Sequence, residues 1–275
     1  MAFAGIEIRA IPASQRWTFV HLERGYLEKD GHALVLRQGE LLTHIPVGLF
    51  TCIQIGPGVV VTHEAVKTCA QEQCLLIWVG EQGVRCYSAG QPGGASAERI
   101  LEQAALRLDP KKRLTVARNL YRYMFGEEPP QCRSIDELRG IEGNRVKSFY
   151  KDCAKRHGVT WLRRDYDPNN FSSSDDLNKA LSVANAALYG VCESVILTLG
   201  YSPAIGFIHS GDARSFVFDL ADTIKMQAAV ETAFAVIGTK PTEVEGCVRR
   251  ACRDQFRELD LARRLVTTLE EVMQA

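Results

Sequence analysis

SAGQPGGASA, residues 88–97, is the stretch of sequence that decides the fold, because the spacing of apolar residues changes across it. Before it, short apolar runs are separated by Gly-rich or charged turns, a pattern typical of β-strands. After it, apolar residues recur with the 3.6-residue period of helices. The Gly, Pro and Ser content of the stretch itself indicates a linker. We therefore expect an α+β multidomain chain, with an N-terminal β domain over residues 1–90 and a C-terminal all-α domain over residues 97–275.

Seven apolar runs on the N-terminal side predict strands, and one helical segment, HEAVKTCAQEQ (63–73), interrupts them. The runs are WTFVHLER (17–24), ALVLRQ (33–38), ELLTHIPV (40–47), LFTCIQIG (49–56), VVVTH (59–63), CLLIWVG (74–80) and VRCYS (84–88). Six helical segments follow the linker: residues 97–109, 111–126, 134–158, 173–200, 215–238 and 243–274. Gly126, Gly158, Gly200 and Gly238 are their stop signals. Ser134 and Glu137 form a capping box at the start of the third segment, and Asp175 and Asp176 begin the fourth.

Composition indicates a soluble globular protein with a sizeable core, since 46% of the 275 residues are hydrophobic and 24% are charged. No apolar run approaches the roughly 20 residues that cross a bilayer, and MAFAGIEIRAIPASQR (1–16) lacks signal-peptide features. We expect a cytoplasmic protein with no membrane partner. The nine cysteines are odd in number and scattered, which favours reduced thiols over disulfides or structural zinc.

The distribution of charge points to a polyanionic partner. The 33 basic residues balance 33 acidic ones overall, but residues 111–165 contain 14 Lys and Arg against 7 Asp and Glu. Solvated helix faces with ion pairs at helical spacing explain part of this surplus. The rest surrounds Glu142, where a basic surface would hold a polyanion beside a candidate metal carboxylate.

Three separated polar residues in apolar helical sequence together resemble a metal site: Glu142 in LRGIEGNRVKSFY, His209 in AIGFIHSG and Asp222 in FVFDLADTIK. Asp219 lies one turn before Asp222. Carboxylates with one imidazole and no thiolate suit Mg²⁺ or Mn²⁺ and phosphodiester chemistry. No Walker loop, dinucleotide-binding Gly motif or nucleophile elbow is present in the sequence.

Glu142 also has an ordinary interpretation, as a surface glutamate paired with Arg139 or Arg145 at helical spacing. It lies between Gly140 and Gly143, and a glycine inside a helix costs roughly 1 kcal/mol relative to alanine. Two such glycines predict close approach by another backbone, which is either a DNA strand or a crossing helix.

The other candidates have alternatives too. His209 precedes a helix, where a lone histidine is more often a core or capping residue than a ligand. Asp219 and Asp222 share a face among apolar neighbours, so their burial requires compensation. Either a metal or Lys225, one turn further on, could supply it.

Most of the chain resembles the CRISPR adaptation integrase, the universal CRISPR-associated endonuclease subunit, and specifically its type I-E branch. The resemblance is carried, in family order, by THIPVG (43–48), LLIWVGEQGVRCYSAGQPGGA (75–95), ELRGIEGNRV (137–146), VTWLRRDYDP (159–168), LYGVCESVI (188–196), YSPAIGFIHSG (201–211), SFVFDLADTIK (215–225) and VRRACRD (248–254). It implies an N-terminal β domain, a C-terminal helical catalytic domain, a homodimer and a small ferredoxin-like CRISPR-associated partner subunit.

The resemblance also implies an activity, the insertion of foreign double-stranded DNA fragments into a repeat array. A fragment 3′-hydroxyl attacks a phosphodiester of the repeat, and with water as nucleophile the same site acts as an endonuclease. Glu142, His209 and Asp222 match the family's Mg²⁺ or Mn²⁺ ligands, and Asp219 matches an additional acidic residue of the catalytic site. Candidate phosphate contacts in or beside the family-like segments are Arg85, Lys225, Arg249 and Arg250.

Three departures from relatives stand out. Arg24, with Tyr26 nearby, aligns with the tyrosine that props open the fragment end, and Asp212 replaces a common basic residue. The sequence ends at EEVMQA (270–275) without the Pro-rich tail of some relatives. Two other functions stay open: a DNA-binding scaffold with degenerate catalysis, and a general nuclease for branched DNA repair intermediates.

Overall fold

The computed structural model describes residues 16–31, 33–80, 86–90, 97–131, 134–163 and 175–274. Within these ranges the strands are β1 (Trp17–Leu22), β2 (Gly25–Asp30), β3 (Ala33–Gln38), β4 (Leu41–Ile45), β5 (Phe50–Ile55), β6 (Val59–Val61), β7 (Leu75–Val79) and β8 (Cys86–Ala89). The helices are α1 (His63–Gln71), α2 (Glu98–Leu108), α3 (Pro110–Phe125), α4 (Ile135–His157), α5 (Asp176–Thr198), α6 (Ser215–Asp222), α7 (Glu231–Gly238), α8 (Val244–Glu258) and α9 (Leu261–Val272). Strands before residue 90 and helices after residue 97 confirm the predicted fold class. The division into two domains stays a prediction, and residues 91–96 of the predicted linker lie outside the described residues.

The strands form two four-stranded sheets. The first has the order β1-β5-β7-β8, with β1, β5 and β7 parallel and β8 antiparallel to β7. Every residue of β5 is buried, as expected for a central parallel strand that is covered on both faces. The second has the order β4-β3-β2-β6, with β2 antiparallel to β3 and parallel to β6.

The sequence pattern missed β2. Its six residues, GYLEKD, include one buried residue, Leu27, and end in three charged residues that resemble a turn. Gly25 begins the strand at φ +127°, and a Cβ there would lie 2.7 Å from the carbonyl oxygen of Arg37. Only glycine fits this close approach.

The centre of the helical half is α5, in which fourteen of 23 residues are buried. It packs against α6, α7, α8 and α9, and against β5, β7 and β8 of the first sheet. By length and composition alone α5 could span a bilayer, which corrects the expectation that no such segment exists. Core helices pass the same test, and most of α5 lies inside the fold.

Two helical segments that the sequence predicts as continuous are interrupted. Between α6 and α7 the chain forms a π-helical turn at Met226–Val230, directly after Lys225. Between α8 and α9 it bends at Asp260, whose φ is 44°. The predicted caps are confirmed where residue chemistry marks them, since Ser134 and Asp175 accept N-terminal amides and Gly126 and Gly158 adopt left-handed conformations.

Candidate active site

A fully buried carboxylate, Asp219 on α6, holds the loop that precedes this helix. Its Oδ2 accepts hydrogen bonds from the amides of Phe207 at 2.5 Å and Ile208 at 3.1 Å, and its Oδ1 accepts one from the amide of His209 at 2.8 Å. These bonds satisfy a charge whose burial would otherwise be costly. Asp219 was predicted as a catalytic acid, and the structure gives it a supporting position with both oxygens occupied.

The His209 imidazole lies between the two aspartates. Its Nδ1 is 2.8 Å from Asp219 Oδ1, and its Nε2 is 3.9 Å from Asp222 Oδ2. In the tautomer that donates from Nδ1 to Asp219, the Nε2 lone pair faces Asp222 and is free to bind a cation. The hydrogen bond that His209 donates to Asp219 raises the pKa of His209, burial opposes this shift, and the nearby Asp222 carboxylate adds to it.

Asp222, one turn along α6, is 6% exposed and bonds the Lys225 ammonium through Oδ1. Lys225 is therefore the compensating cation of this carboxylate in the structure, as one of the two sequence alternatives predicts. Burial alone would lower the pKa of Lys225, but the Asp222 carboxylate, together with Tyr189 and Tyr150, outweighs burial and the pKa is raised.

Glu142 reaches the same cluster from α4. Its Oε2 accepts a hydrogen bond of 3.0 Å from the Tyr121 hydroxyl, and the Tyr121 side chain is fully buried on α3. Burial raises the pKa of Glu142, the Asp222 carboxylate raises it further, and the Tyr121 hydrogen bond opposes the shift. The carboxylates of Glu142 and Asp222 therefore repel each other in a site that is largely buried. A divalent cation bound between them would stabilise both charges.

The donor set therefore fits Mg²⁺ or Mn²⁺, with carboxylate oxygens from Glu142 and Asp222 and an imidazole nitrogen from His209. As the side chains stand, no three His, Cys, Asp or Glu residues in the described ranges are arranged to hold a metal ion. The reason is visible in the contacts, because Lys225 bonds Asp222 and Glu142 bonds Tyr121. The ligand set stays a prediction that requires these side chains to turn toward a common point.

Two tyrosines of the cluster were not predicted from the sequence. Tyr121 anchors Glu142, and Tyr189 on α5 has a raised pKa because of burial, with Lys225 and Asp222 as its charged neighbours. Phe218 packs edge-on against both Tyr189 and His209, with ring centroids 5.1 Å and 5.8 Å apart. The only sequence signal for Tyr189 is that it places a hydroxyl group within an otherwise mostly apolar helical segment.

The ordinary alternatives for Glu142 are not what the structure shows. Arg139 pairs with Asp136, and Arg145 pairs with Glu127. The expected crossing helix is also absent from the described residues, since a Cβ at Gly140 or at Gly143 would meet no atom within 4 Å. Among the described residues these glycines therefore face open space, and the close approach of a DNA strand stays a prediction.

Among the predicted phosphate contacts that the structure describes, only Lys225 lies in this cluster. Arg249 pairs with Glu245 at 3.5 Å and, together with three other arginines, lines a cavity of about 570 Å³ between β1, α8 and α9. Arg250 is exposed on α8 and contacts the Cys247 thiol. Arg85 lies outside the described residues.

The positions that depart from relatives are exposed. Tyr26 on β2 is 51% exposed, and Arg24 before it has φ 53°. Asp212 accepts a 2.7 Å hydrogen bond from the amide of Arg214 at the entry to α6, a local structural role.

Comparisons with known proteins bear on this site and fold. A family model described as "CRISPR associated protein Cas1" matches residues 19–128 and 123–251. The chain is 46% identical over 269 residues to the "CRISPR-associated endonuclease Cas1" of Geobacter sulfurreducens, covering 98% of this chain and 88% of the relative. It is 44% identical over 271 residues to the protein of the same name from Escherichia coli, covering 98% and 89%. A solved structure described as "Crystal structure of TtCas1-DNA complex" is similar with a TM-score of 0.85 and 35% identity, covering 95% of this chain and 98% of that one.

These matches extend along nearly the whole sequence and agree with the resemblance found in its segments. The chain belongs to the Cas1 family of CRISPR-associated proteins.

Proposed function

We propose that this protein is a metal-dependent DNA endonuclease and integrase, which captures foreign DNA fragments and inserts them into a CRISPR repeat array by transesterification. The observation that carries the proposal is the convergence of Glu142, His209 and Asp222 from two helices and one loop, with Nε2 of His209 facing Asp222. Relatives of this chain are named CRISPR-associated endonucleases, and one similar structure is described as a complex with DNA.

Some residues of the candidate site would bind the cation, and others position those ligands. Glu142, His209 and Asp222 would hold Mg²⁺ or Mn²⁺, which when bound polarises a phosphodiester and stabilises its developing negative charge. Asp219 fixes the ring of His209 so that Nε2 points into the site. Lys225, which bonds Asp222 in this structure, would be placed to hold a phosphate oxygen with a cation bound at that carboxylate.

Double-stranded DNA is the proposed substrate, and a homodimer with a small ferredoxin-like partner is the proposed assembly. The outer face of the second sheet supports a dimer through the N-terminal half, because Leu42, Tyr26 and Val60 lie in one row across its strands and each is 51% exposed. Arg37 lies in the same row between Leu42 and Tyr26, so the row combines exposed apolar side chains with one cation. Clustered exposed apolar side chains rimmed by polar ones mark protein-binding surfaces. Inserting both fragment ends requires two catalytic sites at a fixed separation, which the dimer and its partner would supply.

The test is strand transfer between a labelled fragment and a repeat duplex, with Mg²⁺, with Mn²⁺ and with chelator. We expect Asp222→Ala to abolish transfer while DNA binding persists, because basic side chains supply most of the affinity. Asp152→Ala is the matched control, since this aspartate is exposed on α4. Full activity of Asp222→Ala would remove the metal assignment. A wild-type protein that binds DNA but neither transfers nor cleaves strands would favour the alternative function, a DNA-binding scaffold. Light scattering that shows a monomer would contradict the proposed dimer.

A further inference from the structure

Residues 206–209, which lead into the candidate site, are held by side chains on both sides of the backbone. The three peptide groups that join them have their N–H groups bonded to Asp219, from Phe207, Ile208 and His209. Successive amides of a β-strand point in opposite directions. Three that converge on one carboxylate therefore define a single, specific backbone conformation.

The carbonyl groups of the same three peptides are bound by three arginines from three different helices. Arg107 Nε on α2 donates to Gly206 O at 2.7 Å, and Arg113 Nε on α3 donates to Phe207 O at 2.8 Å. Arg139 Nη2 on α4 donates to Ile208 O. Every polar group of these three peptides thus has a charged side chain as its partner, and we call this arrangement the backbone clamp.

The residues just before the clamp are fixed in the same manner. Gln103, fully buried on α2, donates to the carbonyls of Ser202 and Ile205 at 3.0 Å and 2.8 Å and accepts the amide of Ser202 at 2.8 Å. Gly206 cannot be larger, since a Cβ would lie 2.6 Å from His209 O. The loop that presents His209 is consequently rigid along its length.

Electrostatics show that the three arginines lie close together. Burial lowers the pKa of Arg113, and repulsion from Arg107 and then from Arg139 lowers it further, with Asp219 opposing. Crowding like charges is unfavourable, so it requires compensating interactions. In the described residues, these are the carbonyls of residues 206–208 and the carboxylates of Asp219 and Asp136, of which Asp136 also forms an ion pair with Arg139.

We propose that Arg107 and Arg113 are positioning residues for strand transfer, which fix the backbone of residues 206–209 and thereby the Nε2 of His209. This inference rests on the proposed function for its catalytic part. Arg139 extends the clamp to α4, three residues before Glu142, so that the backbone of one predicted ligand is bonded to the helix that carries another. Loss of one clamp arginine leaves a carbonyl without its donor and lets the imidazole shift.

The expected effect is on rate more than on DNA affinity. A displacement of about 1 Å can reduce a catalytic rate by about 100-fold, whereas one lost phosphate contact weakens DNA binding and lowers the salt slope by about one. We expect Arg113→Met to reduce the transfer rate at saturating DNA by about 10- to 100-fold, with the half-saturating DNA concentration changed less than about threefold. Arg113→Lys restores part of the rate because an ammonium can donate to the same carbonyl.

The matched control is Arg118→Met. Arg118 is on the same helix, α3, and also binds backbone carbonyls, those of Pro129 and Pro130 at 3.1 Å and 2.8 Å. It lies outside the clamp, so its loss should leave the transfer rate within about twofold. Thermal melting of each variant shows whether it folds. If Arg113→Met does not fold, Arg107→Met provides a second clamp variant.

Amide hydrogen exchange gives a readout that is independent of activity. Wild-type amides of residues 207–209 should exchange slowly, and their exchange should be faster in Arg113→Met but not in Arg118→Met. Unchanged exchange in both clamp variants would overturn the inference alone. Weaker DNA binding at an unchanged saturated rate would overturn it too, because Arg113 would then be a phosphate contact. No wild-type transfer, with the exchange difference present, would instead refute the proposed function and with it the catalytic part of the inference.

Discussion

Replacing Asp219 by asparagine tests the best-defined polar arrangement in the fold. The side chain keeps its shape, but one oxygen becomes an NH₂ group that can only donate. Each carboxylate oxygen of Asp219 accepts two hydrogen bonds, from the amides of residues 207 and 208 at Oδ2, and from the amide and Nδ1 of His209 at Oδ1. Whichever oxygen is replaced, two hydrogen bonds to the charged carboxylate are lost: those from the amides of Phe207 and Ile208 at Oδ2, or those from the amide and Nδ1 of His209 at Oδ1, where the imidazole pairs again only by changing its tautomer.

The size of the effect follows from this count. A hydrogen bond to a charged group contributes about 1.5–3 kcal/mol, so two lost bonds cost about 3–6 kcal/mol. Removal of a fully buried charge offsets part of this, and we expect about 3–4 kcal/mol. With an unfolding entropy of about 2.1 cal/mol/K per residue over the 275 residues, this corresponds to a Tm lower by about 5–7 °C.

Differential scanning calorimetry at neutral pH measures the shift. Asp152→Asn, at an exposed position on α4, serves as the reference and should move Tm by less than about 1 °C. A decrease of less than about 2 °C for Asp219→Asn would refute the reasoning, since the buried carboxylate could not then be accepting four hydrogen bonds.

Two other perturbations test separate parts of the helical half. The pKa of Glu231 is lowered in the folded state, because hydrogen bonds from His157 and neighbouring α4 side chains outweigh its burial, which raises the pKa. Its ionised form therefore stabilises the fold above the unfolded pKa of about 4.5, and this contribution disappears as pH falls through the lower folded value. Glu231→Gln should lower the free energy of unfolding by about 1–2 kcal/mol at pH 7. In urea titrations at pH 4 and below, the difference in this free energy between variant and wild type should shrink. A difference that stays constant with pH would contradict this explanation. Gly143→Ala should raise helix stability by about 0.5–1 kcal/mol because the position is open, yet slow strand transfer by obstructing a DNA strand, and unchanged transfer would make Gly143 an ordinary helix residue.

Sequence reasoning succeeded where the signal is local. The helix boundaries show this: Ser134 and Asp175 cap the starts of helices, and Gly126 and Gly158 end them. Each does so by its own side-chain or backbone chemistry, so these boundaries were predictable from neighbouring residues alone. Sequence reasoning failed at Asp260, where a non-glycine residue adopts a left-handed conformation, and at the π-helical turn after Lys225, since neither position carries a glycine or proline that would mark an interruption.

Sequence reasoning named the residues of the candidate site, whose roles stay predictions, but it did not give their contacts. Glu142, His209 and Asp222 are marked as polar residues among apolar ones, and the structure brings them to one place. The partners of these residues carry no such mark. Tyr121 resembles any core aromatic of an amphipathic helix, and Asp219 bonds backbone amides that the sequence cannot distinguish from others.

The packing of α9 against β1 has a consequence for how the chain is made. This contact joins segments separated by about 240 residues, so it belongs to the slow, non-local part of folding. At a synthesis rate of about 5–20 residues per second, α9 leaves the ribosome roughly 10–50 s after β1. Throughout that interval β1, an edge strand of its sheet, lacks the cover that α9 provides, and it is then that the nascent chain would most need a chaperone.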